Sequence, residues 1–213
     1  IDGCTFDNNL PCIAEKEGFA FRNIADELIS VMLKNGAYKI DAAQAEELAK
    51  IVLVDKTDKK GNVRKIVNRD CVGRDADVLL AKIGVKVSKD IRCIICETDF
   101  NHLFVQEELM MPILPIVRVD NIEQAIDLAV KAEHGNRHTA HMHSKNIDHL
   151  TKFAKEVETT IFVKNAPSYA GIGVGGEGHT TFTIAGPTGE GLTSTRSFTR
   201  QRRCVMADSL HII

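Results

Sequence analysis

The sequence has no tryptophan, two tyrosines and five prolines, and aromatic residues make up 5% of its 213 positions. It also lacks an excess of charge, since its formal net charge at pH 7 is −2. So small a net charge offers no electrostatic basis for binding nucleic acid or an anionic membrane surface. No apolar run approaches the roughly 20 residues that a bilayer-spanning helix needs. We therefore expect neither nucleic acid nor a membrane among its partners.

Cysteines are present, but their spacing does not form a disulfide framework. The six are Cys4, Cys12, Cys71, Cys93, Cys96 and Cys204. In a chain long enough to bury a full hydrophobic core, this scatter indicates reduced thiols and a cytoplasmic protein. No signal peptide is visible and the first residue is Ile1, so we expect the sequence to be a fragment of a longer gene product.

Hydrophobic spacing predicts helices that alternate with short strands. Apolar residues recur at helical intervals over five ranges: 23–34, 41–52, 75–83, 122–130 and 146–157. Asp41 and Asn146 are placed to cap two of these helices, and Asp120 and Asn121 are both possible caps for a third. Short β-branched or apolar runs at 91–96, 114–119, 139–143 and 160–163 are the predicted strands. The charged residues 55–61 are expected to form a solvated loop. Such alternation predicts an α/β fold with a mainly parallel sheet flanked by helices.

The composition of the chain changes after Pro167, where glycine becomes frequent. Eight of the fifteen glycines lie between Gly171 and Gly191, which predicts a long ordered loop or crossover. Residues 194–213 have the composition of two extended segments, and nothing earlier in the chain resembles an antiparallel partner for them. They could form edge strands that pair with another chain, or an ordinary hairpin within this one.

Cys12 lies in the most unusual segment of the sequence. Turn-forming residues 7–9 precede Pro11, and a helix is expected to begin near the cysteine. A thiol in the first turn of a helix lies near unpaired N–H groups, which lower its pKa and can stabilise an oxyanion. Glu15 and Glu17 would oppose this effect if they faced the sulfur. A small buried cysteine is the structural alternative.

Three further motifs suggest metal or nucleotide binding, and none has the required context. Cys93 and Cys96 have a ligand-like spacing but no second pair, and a buried strand explains them better. His141 and His143 share one face of a predicted strand, yet no carboxylate or cysteine is near them in sequence. The glycine-rich run GVGGEG at 173–178 lacks the strand–turn–helix setting of a phosphate loop. We therefore predict no metal site and no nucleotide fingerprint.

Distinctive blocks of sequence occur in order along nearly the whole chain. They are DNNLPCIAEKE (7–17), QEELMMPILP (106–115), HGNRHTA (134–140), KNAPSYAG (164–171), IAGPTGEG (184–191) and RSFTR (196–200). Together they resemble the CoA-acylating aldehyde dehydrogenases of ethanolamine and propanediol utilisation. The resemblance implies an aldehyde dehydrogenase catalytic domain at 1–165, a glycine-rich crossover segment at 166–193 and oligomerisation strands at 194–213.

The same resemblance implies a chemistry and its residues. Cys12 would attack a short aldehyde, acetaldehyde or propionaldehyde, to give a thiohemiacetal, which NAD oxidises to an acyl-thioester for transfer to coenzyme A. Glu108 would hold the nicotinamide ribose, and the Cys12 N–H would form half of an oxyanion hole. It further implies a homo-oligomer, a dimer or tetramer, located in the cytoplasm or inside a bacterial microcompartment, with shell proteins as further partners.

Several alternatives remain open at this stage. The chain could be the aldehyde dehydrogenase half of a bifunctional aldehyde–alcohol dehydrogenase, or a non-catalytic assembly module in which Cys12 is only buried. If the coenzyme domain lies upstream, this fragment alone is expected to be inactive. The sequence does not distinguish NAD from NADP or define the aldehyde's chain length. Roles for Arg137 and His138 near the cofactor pocket also stay open.

Overall fold

The structure, a computed structural model, describes residues 1–186, 189–205 and 207–208. Its α-helices are α1 (Asp2–Thr5), α2 (Arg22–Lys34), α3 (Ala42–Val52), α4 (Ala76–Ala81), α5 (Leu103–Gln106), α6 (Ile122–Ala132) and α7 (Ile147–Val157). Its strands are β1 (Gly18–Phe21), β2 (Ala37–Lys39), β3 (Leu53–Thr57), β4 (Val63–Val67), β5 (Cys93–Glu97), β6 (Ile113–Val119), β7 (Thr139–Met142), β8 (Ile161–Lys164), β9 (Ile184–Ala185) and β10 (Gly191–Leu192).

A four-stranded parallel sheet in the order β1-β6-β5-β2 forms the centre of the molecule. Strands β7 and β8 form a separate parallel pair, while β3–β4 and β9–β10 are antiparallel hairpins. Helices connect the parallel strands, as the alternation of patterns in the sequence predicts. The α/β class with a mainly parallel sheet is confirmed.

Helices cover both faces of the four-stranded sheet. On one face, Ile94 packs in a buried cluster that includes Leu79 of α4. On the opposite face, the next strand residue, Ile95, packs with Ala25 and Ile29 of α2. Successive strand residues project to opposite sides, so this alternation gives each face its own hydrophobic core. The sheet is therefore buried on both sides and provides a rigid support for the loops at its edges.

Each of the three helices with a predicted cap has one, and for α6 it is Asn121 and not Asp120. Asp41 accepts a hydrogen bond from the backbone N–H of Gln44, whose side chain accepts one from Asp41 N–H, which completes a capping box. Asn121 caps α6 and Asn146 caps α7 through their side-chain oxygens. Each interaction satisfies N–H groups that a helix leaves unpaired at its start.

The expectation of a solvated loop at residues 55–61 is wrong for its first half, since β3 extends through Thr57. The turn chemistry explains the hairpin. Asp58 Oδ1 accepts hydrogen bonds from the N–H groups of Lys60 and Asn62, and Gly61 has a φ of 86°. This closes a two-stranded ribbon, and such a ribbon tolerates charged side chains because most of its residues face solvent.

The expectation of two extended segments after residue 194 is wrong at its start. Residues Thr195–Phe198 form a short 3₁₀-helix, because Ser194 and Ser197 cap one another reciprocally. No strand is assigned between 199 and 205 or at 207–208, and the rest of the predicted strands lies outside the described residues. Within the described chain, no helix has the length and apolar character that crossing a membrane requires.

Candidate active site

Cys12 sits in a tight turn that leads into β1. The preceding 3₁₀ segment, Phe6–Asn9, contains residues with positive φ, namely Asp7, Asn8 and Asn9. The Ala14 N–H donates to the Pro11 carbonyl across 2.9 Å, and the chain then runs without a helix to the strand at Gly18. The prediction that Cys12 opens a helix is therefore wrong. Pairing of β1 with β6 explains this, because it draws the chain after the turn into extended geometry.

The parallel sheet brings Cys12 and Glu108 to one edge. Strands β1 and β6 are parallel neighbours, with Gly18 opposite Ile116. Cys12 lies shortly before β1 and Glu108 shortly before β6, so both precede the amino ends of adjacent strands. Two residues almost a hundred positions apart in sequence are thereby close enough for the charge of Glu108 to act on the Cys12 thiol.

The Cys12 thiol is exposed, and its pKa is raised. Partial burial of the sulfur is the main cause, and the negative charge of Glu108 adds to it, while the backbone N–H of Cys12 itself acts in the opposite direction. The predicted lowering of this pKa is wrong, because the helix N-terminus that would cause it is absent. Glu15 and Glu17 were expected to raise the pKa of Cys12 if they faced the sulfur, but neither is among its causes. The carboxylate whose charge contributes is that of Glu108. At neutral pH the thiol needs a base to become a nucleophile.

Glu108 is held outward by its buried neighbours. Leu109 and Met111 are both buried, and Met110 between them has a φ of 55°, which turns the chain sharply before β6. Glu108 itself is exposed, and among the described residues its carboxylate has no hydrogen-bond or ion-pair partner. Both carboxylate oxygens are therefore available to accept hydrogen bonds from a ligand.

His138 is the second ionisable group within reach of the Glu108 charge. It lies in the loop between α6 and β7, where its N–H donates to Glu133 Oε1 across 2.9 Å and its Nδ1 lies 2.7 Å from Thr139 Oγ1. Burial lowers the pKa of His138, and the charges of Glu108 and Glu133 only partly offset that effect. A neutral imidazole at physiological pH can accept a proton. Neighbouring Arg137 instead pairs with Glu158 at 2.8 Å.

The remaining histidines and cysteines do not form a metal centre in the described part of the chain, where no group of three or more suitable ligands occurs. The rings of His141 and His143 meet edge to face at 5.5 Å. No carboxylate lies near His141 in sequence, but the fold brings Glu15 Oε1 to 4.0 Å from its Nδ1. Cys93 is buried with its sulfur 3.8 Å from that of Cys4, as expected for a strand residue.

Sequence reasoning missed the residues that fix the backbone around the thiol. The carboxylate of Glu15 is hydrogen-bonded to Ser168, which lies 153 positions later and is fully buried. Ser168 belongs to the block KNAPSYAG, so its place in a distinctive motif was the one available signal. Nothing in local spacing connects the two residues.

An accessible thiol, a neutral imidazole and an unpaired carboxylate at the edge of a parallel sheet are typical of enzymes that attack a carbonyl group with cysteine. Comparison with known proteins narrows this class. Residues 91–198, half of the sequence, match the aldehyde dehydrogenase family. The chain belongs to the aldehyde dehydrogenase family.

Individual relatives place it near the acylating members. It is 49% identical over its whole length to acetaldehyde dehydrogenase (acetylating) EutE of Salmonella typhimurium and covers 45% of that protein. A propionaldehyde dehydrogenase from the fucose utilisation microcompartment of Clostridium phytofermentans aligns with 99% of this chain and 47% of its own, at 56% identity and a TM-score of 0.87. The Rhodopseudomonas palustris propionaldehyde dehydrogenase, crystallised with bound CoA and an acylated cysteine, aligns with 96% of this chain and 45% of its own, at 56% identity and a TM-score of 0.86.

These matches confirm the resemblance to acylating aldehyde dehydrogenases. They also show that the chain spans less than half the length of the relatives it matches. The assignment of Cys12 and Glu108 to roles in catalysis stays a prediction, since the matches concern whole chains and not individual residues.

Proposed function

We propose that the complete protein oxidises a short-chain aldehyde to acyl-CoA, with Cys12 as the nucleophile. The observation that carries the proposal is the exposed Cys12 thiol beside the Glu108 charge, in a chain almost half identical to an acetylating enzyme. Acetaldehyde and propionaldehyde are the substrates we propose, because the relatives are named for them. The non-catalytic alternative needs a sealed thiol, which is the opposite of what Cys12 has.

The first step is addition of the Cys12 sulfur to the aldehyde carbon. The thiol proton must be removed, because the raised pKa keeps the thiol protonated at neutral pH. As the bond forms, the aldehyde oxygen becomes an oxyanion, which the Cys12 N–H is placed to stabilise. The influence of this N–H on the Cys12 pKa supports its closeness to the sulfur. When the oxyanion takes up the proton that left the thiol, the product is a thiohemiacetal on Cys12.

Glu108 is the residue we propose for cofactor binding. Its two exposed carboxylate oxygens, unpaired among the described residues, fit two ribose hydroxyl donors, and its place beside Cys12 suits a cofactor that reacts there. When bound, the nicotinamide supplies the hydride acceptor that turns the Cys12 adduct into a thioester. We propose NAD for this role, and the choice between NAD and NADP depends on residues beyond this chain.

Transfer to coenzyme A completes the proposed reaction. The incoming thiol must lose its proton to attack the thioester. We propose His138 as the base, because burial lowers the pKa of its imidazole and the Glu108 charge acts on both His138 and Cys12. The sulfur of coenzyme A bonds to the acyl carbon, and the bond to Cys12 breaks, so that its thiolate is regenerated. The thioester energy is retained in the product.

The test is acyl-CoA formation by the complete gene product with acetaldehyde or propionaldehyde, NAD and CoA. Cys12→Ser should abolish NADH formation, because a serine hydroxyl ionises far less readily than a thiol. Cys204→Ser is the matched control, since Cys204 is also exposed but lies outside the site, and it should keep full activity. Release of free acid without CoA would contradict the acylating assignment.

We further propose that the protein forms a homo-oligomer, a dimer or tetramer, in which residues 194–213 contact a second copy. Phe198 and Val205 support this, since their apolar side chains are 69% and 79% exposed. A monomeric mass for the complete gene product in solution would exclude it. By analogy with the Clostridium relative, we propose packaging with microcompartment shell proteins. Failure to co-fractionate with shell proteins in the native organism would exclude that partner.

A further inference from the structure

The turn that carries Cys12 is held by a partly buried carboxylate that the reaction itself does not use. We propose that Glu15 is a positioning residue, which fixes the Cys12 turn against the segment beginning at Ser168 so that the sulfur can reach a carbonyl carbon. This inference rests on the proposed function, because positioning matters only if Cys12 attacks a carbonyl group.

Two hydrogen bonds join Glu15 to Ser168. The Ser168 N–H donates to Glu15 Oε1 across 2.9 Å, and the Ser168 hydroxyl donates to Oε2 across 2.7 Å. Ser168 is fully buried at the start of the 3₁₀-helix Ser168–Ile172, and the Glu15 side chain is only 12% exposed. Charge-assisted hydrogen bonds to both oxygens give the carboxylate one defined orientation. The turn is thereby attached to the segment that follows β8.

The backbone of Glu15 is held as firmly as its side chain. The amide of Asn9, which is buried, donates to the Glu15 carbonyl across 2.8 Å and to the Cys4 carbonyl across 2.9 Å. The carboxylate also lies directly against Gly3, where a Cβ atom would come within 2.0 Å of Oε1. Glycine at position 3 therefore leaves the space that the carboxylate occupies.

The next residue anchors the other side of the turn. Lys16 Nζ donates a hydrogen bond to the Val105 carbonyl in α5 and forms an ion pair with Glu17 at 2.9 Å. Helix α5 leads directly to Glu108. Glu15 and Lys16 therefore attach the Cys12 turn to two different parts of the molecule, Ser168 on one side and the Glu108 segment on the other.

Glu15 acts on Cys12 by fixing the position of the turn, and not through its negative charge. The carboxylate that raises the Cys12 pKa is that of Glu108. The charged or titratable groups facing Glu15 are His141, whose Nδ1 lies 4.0 Å away, and buried Cys4, which responds to the Glu15 charge. Burial keeps His141 neutral, so that it does not neutralise the carboxylate. Removing Glu15 should therefore leave the pH midpoint of Cys12 ionisation in place.

Two variants of the complete gene product disturb the carboxylate in different ways. Glu15→Gln removes the negative charge that strengthens both bonds to Ser168, and its NH2 group forces the Ser168 hydroxyl to accept instead of donate. Gly3→Ala keeps the carboxylate but displaces it, because the new methyl group would occupy its position. Alanine is otherwise suited to Gly3, which lies in α1. The matched controls are Glu27→Gln, an exposed carboxylate of α2, and Gly18→Ala, whose Cβ would meet only Pro115 O at 3.9 Å.

The probe is p-nitrophenyl acetate, whose reaction with Cys12 needs neither nicotinamide nor CoA. The Cys12 thiolate bonds to the ester carbonyl carbon, and the bond to oxygen breaks to release p-nitrophenolate, which is followed as a burst. Both variants should slow this burst about tenfold or more, because small displacements of a nucleophile are costly. Both controls should stay within about twofold of wild type. Alkylation by iodoacetamide should keep its pH midpoint in every variant.

The remaining outcomes overturn the inference or separate it from the proposed function. A wild-type burst rate in Glu15→Gln or Gly3→Ala would overturn it. New alkylation of Cys4, which contacts Asn9 in the same cluster, would show local unfolding and would reduce Glu15 to a structural role. If the bursts fall as expected but wild-type protein makes no acyl-CoA, the positioning role stands and the proposed function fails.

Discussion

The proposed role of Glu108 in cofactor binding and its charge act on the reaction in opposite directions, and the variant Glu108→Gln separates the two. Its negative charge raises the pKa of the Cys12 thiol, so removing the charge should make the thiolate more abundant. The same substitution replaces a carboxylate that can accept two ribose hydroxyls by an amide that accepts at one end only. We expect faster alkylation of Cys12 together with slower aldehyde oxidation.

The size of each effect follows from the exposure of the two groups. A pair of unit charges 4 Å apart interacts by about 1 kcal/mol in bulk water, and by about four times as much at the effective dielectric constant of a protein surface. Cys12 and Glu108 are both exposed, so the aqueous value and salt screening apply. Removing the Glu108 charge should lower the pKa of Cys12, so alkylation near neutral pH should be faster by no more than about a few-fold. Turnover should fall about tenfold or more, since a charge-assisted hydrogen bond is lost.

The assay uses complete gene product carrying Cys204→Ser, because Cys12 and Cys204 are the exposed thiols among the six cysteines. Iodoacetamide is the reagent because it is neutral and its approach does not depend on the local charge. Alkylation is followed by intact mass between neutral and alkaline pH, and turnover by NADH formation. Glu107→Gln, the adjacent carboxylate, is the control. Unchanged or slower alkylation, or full turnover, in Glu108→Gln would refute the reasoning.

Two further predictions concern stability. Asp41→Ala removes the capping box with Gln44 and should lower the free energy of unfolding by about 1 kcal/mol in urea denaturation. Hydrogen bonds from Arg118 and then Lys39 lower the pKa of Glu97, so its stabilising contribution is present above its unfolded pKa and is lost as pH falls through the folded value. Glu97→Gln should therefore destabilise the protein by about 1 kcal/mol or less at neutral pH, and by nothing measurable in acid.

Much of the fold could be predicted because its signals are local. The helices at Asp41, Asn121 and Asn146 combine a cap with apolar residues at helical spacing, and each forms where the pattern indicates. Strand β6 is long and almost wholly buried, so its continuous apolar run is recognisable. The short strands β1 and β2 were missed, because three or four residues do not establish a period and their pairing partners are distant in sequence.

The candidate site could be predicted only in part, because its geometry depends on contacts between distant residues. From local sequence we predicted that Cys12 begins a helix and has a lowered thiol pKa. In the structure Cys12 instead lies in a turn before β1, which pairs with β6. Burial is the main reason that the pKa of Cys12 is raised where it was expected to fall, and the charge of Glu108, brought near by the same pairing, adds to it. Family resemblance predicted roles for both residues without indicating how they interact.

The buried link between Glu15 and Ser168 shows what neither local pattern nor resemblance can supply. From sequence, a glutamate three residues after a cysteine is expected to be a solvated charge that opposes thiolate formation. In the folded chain that carboxylate turns away to a serine 153 positions later, and its negative charge is separated from the sulfur. The two glutamates near Cys12 thus differ in what they control. Glu108 changes how readily the thiol ionises, and Glu15 determines where the ionised sulfur is held.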